Sequence, residues 1–334
     1  MKLTRRSFVA SATLAATSFS IGRSAQAASS YKISTNVPVG HPVANRLEAA
    51  AKSIKDDTNG EIDISLFPNS QLGGDLEVIS QVRQNAIQFM TMGTAQLSNL
   101  APVASLSGVG FAFSDTDNAF KAMDGEVGGL VRKALNDVGL HTFNEIFDNG
   151  FRQITTSSKP IEKPSDLKGV LIRVPPSPLS TSMFKAFGAA PQSISYGEIY
   201  TALQTKLVDG QENPLQLVYT SKFYEVQKYA SMTNHSWDGF WFCTNGAFWK
   251  RQSQATQDIL TKRFREATLA ARADIASLNE SVRAKLVTAG MSFVEPKRQD
   301  FVAALNTANF YKDWKEKFGA EAWSTLERYT GKLG

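Results

Sequence analysis

The sequence predicts an α/β fold of two domains, and three observations carry that prediction. At 334 residues the chain exceeds one typical core of roughly 100 to 200 residues. With 42% hydrophobic and 20% charged residues it has ordinary globular usage, which excludes disordered and collagen-like classes. Short β-rich runs alternate with helical patterns along it, the arrangement of a mainly parallel sheet with helices on its faces.

In chain order, residues 31–37 and 61–67 read as strands. Between them 44–58 reads as a helix stopped by Asn59-Gly60, giving a βαβ unit. A helix over 74–85 and a strand over 88–94 continue the alternation. The series restarts at Gly150 with a strand over 151–156. Turns at Lys159-Pro160 and Lys163-Pro164 lead to a short helix over 165–167, a strand over 170–174 and a helix over 179–187, which Gly188 caps. A further helix over 195–206 precedes Asp209-Gly210. From 247 to 289 there is no Gly or Pro, and Phe264, Ala271, Ile275, Leu278, Val282 and Leu286 form one apolar stripe. About 40 helical residues at 1.5 Å each would make a rod of roughly 60 Å, long enough to cross both domains. Two helices broken near Ser253 or Ser277 fit the same pattern. The expected division is 28–150 plus about 239–278 for the first domain and 151–238 plus about 279–334 for the second.

Residues 1–27 carry the three parts of an export signal: a basic start, an apolar stretch from Phe8 to Ile21, and Ala25-Gln26-Ala27 as a cleavage site. The stretch is too short to span a bilayer, which takes about 20 residues. Thr4-Arg5-Arg6-Ser7-Phe8 fits the twin-arginine pattern, with an ordinary secretory signal as the alternative. Lys2, Arg5, Arg6 and Arg23 account for most of the net charge of +5. The remainder is nearly balanced, which argues against a nucleic-acid partner. The expected location is the periplasm.

Cys243 is the only cysteine, so no intrachain disulfide forms, and it reads as a small buried hydrophobe. His41, His141 and His235 lie far apart in sequence, and no H-E-x-x-H or C-x-x-C spacing exists, so neither metal nor cofactor is expected. Ser182-Met183-Phe184-Lys185 matches S-x-x-K without the companion motifs of that enzyme class. A secreted enzyme using Asp75, Glu212 or His235 as acid or base is the rival from another class, and a ligand-binding sensor subunit is a second.

Arg173 stands out because it sits in an apolar strand, Leu171-Ile172-Arg173-Val174, that ends at Pro175-Pro176. Strand ends in α/β folds face the ligand crevice, and a guanidinium there offers a planar fork for a carboxylate. A structural ion pair explains it equally well. Asn213 precedes Pro214 and is biased to an extended conformation that could aim its amide into a cleft. In Trp237-Asp238-Gly239-Phe240-Trp241-Phe242, Trp241 reads as core and Trp237 as a pocket wall.

Six segments together give the chain a likeness to a known family. They are Phe67-Pro68-Asn69-Ser70-Gln71-Leu72-Gly73, Gly150-Phe151-Arg152, Asp166-Leu167-Lys168-Gly169, Ile172-Arg173-Val174-Pro175, the run 198–204, and Val208-Asp209-Gly210-Gln211-Glu212-Asn213-Pro214. In their order and spacing they resemble the DctP-type solute receptors of TRAP transporters. The resemblance implies a two-domain periplasmic-binding-protein-like fold with a long helix spanning both domains. It implies a monomer that closes on one small organic acid and hands it to TRAP membrane permease subunits. Arg173 then matches the carboxylate-clamping arginine, Arg152 a second cleft arginine and Asn213 the ligand-facing asparagine, with Tyr196 an aromatic packed on the ligand. Asn36, Asp75, Gly93 and Trp237 are further candidates on the lips, and Gln71 shapes its loop. The aromatic run favours a keto or hydroxy acid with an apolar or aromatic portion, with a sugar acid as the alternative.

Overall fold

The computed structural model describes residues 28–334; the export signal expected at 1–27 lies outside the described residues. The described residues hold twelve strands: β1 (Ser29–Ser34), β2 (Ile62–Phe67), β3 (Phe89–Gly93), β4 (Leu140–Thr142), β5 (Phe147–Phe151), β6 (Gln153–Thr156), β7 (Leu171–Val174), β8 (Ala190–Ser193), β9 (Gly210–Asn213), β10 (Tyr229–Ser231), β11 (Trp237–Asn245) and β12 (Ser292–Val294). They form two six-stranded sheets. The first runs β2-β1-β3-β11-β4 with β5 also on β11, and the second runs β12-β10-β6-β9-β7-β8.

The expected parallel order holds with one reversal in each sheet. β11 runs antiparallel to β3, β4 and β5, and β6 runs antiparallel to β9 and β10. Each reversed strand is the one that arrives from the other sheet. β5 of the first sheet passes through the single residue Arg152 into β6 of the second, while β10 passes through residues 232–236 into β11 of the first. Direction is thus set by these two crossings, which local pattern does not encode.

The helix expected over 247–289 is broken once, at the first of the two candidate points. Gly246–Arg251 ends at Gln252, whose backbone is extended, and Ser253 then caps Gln254–Thr288 by accepting a hydrogen bond from Thr256 N. Its 35 residues make a rod of about 50 Å. Phe264, Ala271, Ile275, Val282 and Leu286 are its buried stripe. It packs on Pro42–Asp57 and β5 of the first body and on Leu215–Thr220 of the second, so it crosses both.

The C-terminal helices pack on different neighbours. Arg298–Thr307 packs on Pro178–Ala186, whereas Ala320–Thr330 packs on Thr116–Asp124 and Glu126–Asp137 beside the first sheet. Buried Trp323 and Leu326 explain that choice, since they join the same apolar cluster as Met90, Met92 and Trp241. That cluster also contains Ile172, Val174 and Phe184 of the second body, so the two bodies are packed against each other.

His41 is fully buried and caps the helix Pro42–Asp57 by accepting from Val43 N through Nδ1. Burial holds its imidazole down at about 3. The unfolded chain takes up a proton below pH 6.5 that the folded chain refuses until about pH 3. Folding stability contributed by neutral His41 is therefore lost as pH falls through that window, by about 1.4 kcal/mol per pH unit. Urea unfolding between pH 7.5 and 4.5 is expected to show a shallower slope in His41→Asn, which keeps a capping side chain; an unchanged slope would remove His41 from the account.

Candidate functional site

The two sheets meet where the crossings lie, and the polar residues gathered there come from both. Arg173 is the third residue of β7, which pairs with β8 and β9 on its two sides. It is 1% exposed. Its Nε donates to Ile194 O at 2.8 Å, Nη2 is buried with no partner, and among the described residues it forms no ion pair. Burial pulls its pKa down to about 10, so the guanidinium stays charged at neutral pH without a bonded counter-ion.

Arg152, at the first crossing, is bonded on both sides of it. Nε and Nη2 grip the Glu212 carboxylate, Nη1 donates to Asp238 Oδ2 at 2.6 Å, and Nη2 also reaches Glu212 O at 2.6 Å and Asn213 Oδ1 at 3.1 Å. Glu212 belongs to β9 of the second sheet and Asp238 to β11 of the first, so one guanidinium pins an acid of each body. Its hydrogen bonds are spent largely inside the protein, which gives it a structural task whether or not it also meets the ligand. Burial alone would raise the Glu212 carboxyl, but Arg152 and His235 outweigh it and bring it down to about 2. His235, at the second crossing, meets Glu212 Oε2 at 3.1 Å and Thr233 Oγ1 at 2.8 Å; burial depresses its pKa.

The remaining candidates fall into place around these two arginines. Asn213 ends β9 in contact with Arg152. Tyr196 is buried, its hydroxyl 2.6 Å from Ser221 Oγ, and its backbone N donates to Asp75 Oδ2 at 3.2 Å. Asp75 opens the helix Asp75–Arg83 and also accepts from Asn36 Nδ2 at 2.9 Å and Gln96 Nε2 at 3.3 Å. Gly93 ends β3, where a Cβ would come within 2.5 Å of Gln96 Oε1; only glycine leaves room for Gln96 to fold back onto Asp75. Gln71 is exposed in its loop.

Trp237 is core, not pocket wall. Its ring packs edge-on against Phe113 and Phe120, and Nε1 donates to Asp148 Oδ1 at 3.1 Å. The physical reason is that all nine residues of β11 are buried. Asp238, which sequence reasoning passed over, is the charged residue of that strand, and it bonds Arg152, Asn149 and Thr94. The signal was the one used for Arg173, a charge inside an apolar strand.

The Ser182 and Lys185 pair carries no sign of a nucleophile: Ser182 Oγ accepts from Trp314 Nε1 at 3.2 Å. Among the described residues no group of three or more His, Cys, Asp or Glu is placed to hold a metal ion. No described helix is long and apolar enough to cross a membrane.

The model of the family described as bacterial extracellular solute-binding protein, family 7 (DctP), matches residues 33–317. The chain belongs to this family. Within it, the chain is 37% identical over 214 residues to the 2,3-diketo-L-gulonate-binding periplasmic protein YiaO of Escherichia coli, a match covering 64% of this chain and 65% of that protein. It is 33% identical to the C4-dicarboxylate-binding protein DctB of Bacillus subtilis over 72% of this chain and 67% of that one. Among solved family structures, the TRAP periplasmic solute binding protein of Polaromonas sp. JS666, bound to D-erythronate, superposes with a TM-score of 0.85. Its identity is 28%, and the match covers 92% of this chain and 99% of that one. The fold is therefore the two-domain fold of the family's receptors, with the long helix across both domains.

Proposed function

We propose that this protein is a periplasmic receptor that closes on one small carboxylate and delivers it to the membrane permease of a TRAP-type transporter. The observation that supports this most is Arg173, a buried cation that among the described residues has no partner for Nη2 and no ion pair. A buried guanidinium is costly unless an anion meets it, and a carboxylate fits its fork through two parallel hydrogen bonds. The proteins compared above bind acids of quite different shape, and a carboxylate is what those acids share.

Asn213 lies against Arg152, Tyr196 follows two residues after Ile194, whose carbonyl accepts from Arg173, and Asp75 of the first body receives Tyr196 N and Asn36 Nδ2. The mechanism is capture by hinge closure at Arg152 and at 232–236, in which the ligand bridges both bodies and stabilises the packed form. We assign the body of the first sheet to 28–151 plus about 237–278, and that of the second to 152–236 plus about 279–309. The last helix lies along the first body, and Phe310–Phe318 packs on both. No chemistry on the ligand is proposed, since of the candidate acids and bases Glu212 is bonded to Arg152 and His235, and Asp75 to Asn36, Gln96 and Tyr196 N. With Trp237 in the core, the aromatic portion once expected of the ligand loses its support, while a keto or hydroxy acid remains. The signal at 1–27 accounts for export.

A thermal-shift screen of organic acids tests this reading. A ligand at 100 times its dissociation constant stabilises by about 2.7 kcal/mol. Stabilisation by at least one acid, without turnover of that acid, is expected. No shift across the panel, together with no acid released from the denatured protein in mass spectrometry, would sink it.

A further inference from the structure

Asn213 is the first of four buried polar side chains, followed by Gln211, Thr155 and Gln227, whose hydrogen bonds all run one way. Arg152 Nη2 donates to Asn213 Oδ1 at 3.1 Å, and Asn213 Nδ2 donates to Gln211 Oε1. Gln211 Nε2 donates to Thr155 Oγ1 at 2.8 Å, and Thr155 Oγ1 to Gln227 Oε1 at 3.0 Å. The chain ends where Gln227 Nε2 donates to Val226 O at 3.0 Å.

Both ends force that direction. A guanidinium only donates and a backbone carbonyl only accepts, so Asn213 must turn its oxygen to Arg152 and Gln227 its nitrogen to Val226. Gln211 has to pass the same direction on, and Thr155, whose hydroxyl both accepts and donates, joins the two halves. Turning any one amide sets donor against donor or acceptor against acceptor among buried groups, where a lost partner is costly.

The second sheet brings this chain to the clamp. Thr155, Gln211 and Arg173 are register partners across β6, β9 and β7, so they project from one face of the sheet. Asn213 lies two residues beyond Gln211 on β9 and shares that face. Its Nδ2 carries two hydrogens, and among the described residues it makes one hydrogen bond, to Gln211.

We propose that Gln211, Thr155 and Gln227 are positioning residues, which lock the Asn213 amide so that its second N–H, and not its oxygen, faces the carboxylate held by Arg173. This rests on Arg173 being the carboxylate clamp. The three act through Asn213 and do not touch the ligand. A donor fixed in place before the ligand arrives spares the cost of ordering it on binding. A reversed amide would instead set an oxygen against the carboxylate, so the direction of the chain also favours an anion.

Titration calorimetry of the purified chain with D-erythronate, succinate, D-glucuronate and D-galacturonate, beside NMR of the isotope-labelled protein, reads this out. Thr155→Val keeps the shape of the side chain and deletes the hydroxyl that Gln211 bonds. It is expected to weaken the tightest of these acids about tenfold, the loss of one hydrogen bond to a charged group. Thr155→Ser keeps the hydroxyl and is expected to stay within about threefold of wild type. Without ligand, the side-chain NH2 signals of Asn213, assigned by their loss in Asn213→Ala, are expected to shift and exchange faster in Thr155→Val and to hold in Thr155→Ser. Should Thr155→Val fail to fold, Gln227→Met removes the far end of the chain and is expected to move the same signals. Affinity that ignores the hydroxyl, or falls equally in the valine and serine variants, would overturn the positioning role, and loss of binding in Arg173→Ala would show that the clamp stands without it. If wild type binds none of the four acids, the carboxylate reading falls, and the Asn213 signals alone decide whether the chain stands.

Discussion

Arg173→Ala is expected to remove carboxylate binding while leaving the fold as stable as wild type. In the complex the guanidinium and the ligand carboxylate are both desolvated, and deleting one leaves the other unpaired. That loss is on the order of 2 to 5 kcal/mol, or roughly 30- to several-thousand-fold in affinity. Stability should respond far less. Arg173 makes a single hydrogen bond, to Ile194 O, no ion pair among the described residues, and is buried at a cost that holds its pKa down at about 10. Truncation therefore removes an uncompensated charge along with its packing, and these two effects oppose each other. Arg173→Lys should recover only part of the affinity, because an ammonium lacks the planar fork. The measurements are a titration with whichever acid shifts the wild-type melting temperature and a urea unfolding curve. Wild-type affinity in the alanine variant would refute the clamp. A large loss of stability without ligand would make Arg173 structural instead.

What was legible in the sequence follows physical lines. The burial of Arg173 without an ion pair follows from a conflict visible in the sequence, a charge in an apolar strand that ends at a proline pair, and such conflicts concentrate at functional sites. The long helix was readable from the absence of Gly and Pro, whereas its break at Ser253 was one of two candidate points, and the capping that decides for it shows only in the structure. The roles of Arg152 and Trp237 were not readable. Arg152 is decided by Glu212 and Asp238, which lie 60 and 86 residues away and reach it only because two strands exchange sheets. Trp237 sits in an aromatic run, and such a run reads the same whether it lines a pocket or a core. The reversal of β6 and β11 is likewise a property of the crossings and not of any local alternation.

Arg152→Ala is expected to cost stability first and affinity second, the reverse of Arg173→Ala. The guanidinium pairs two buried carboxylates, Glu212 at 1% and Asp238 at 5% exposure. Its removal leaves both uncompensated, and breaking a buried pair in this way typically costs about 3 to 5 kcal/mol. The pH dependence should change sign with it. In wild type the Glu212 carboxyl is held at about 2, below its ordinary value. Its contribution is therefore present above pH 4.5 and fades as pH falls toward 2. Without Arg152 the opposing effect of burial prevails and the carboxyl is pushed up, so that the variant gains stability as pH falls from neutral toward 5. Glu212→Gln in the Arg152→Ala background should recover part of the loss, giving a coupling that a double-mutant cycle resolves. If Arg152→Ala instead unfolds at the wild-type urea midpoint and loses only ligand, Arg152 acts on the ligand directly. The hinge would then be held by the strand crossings alone.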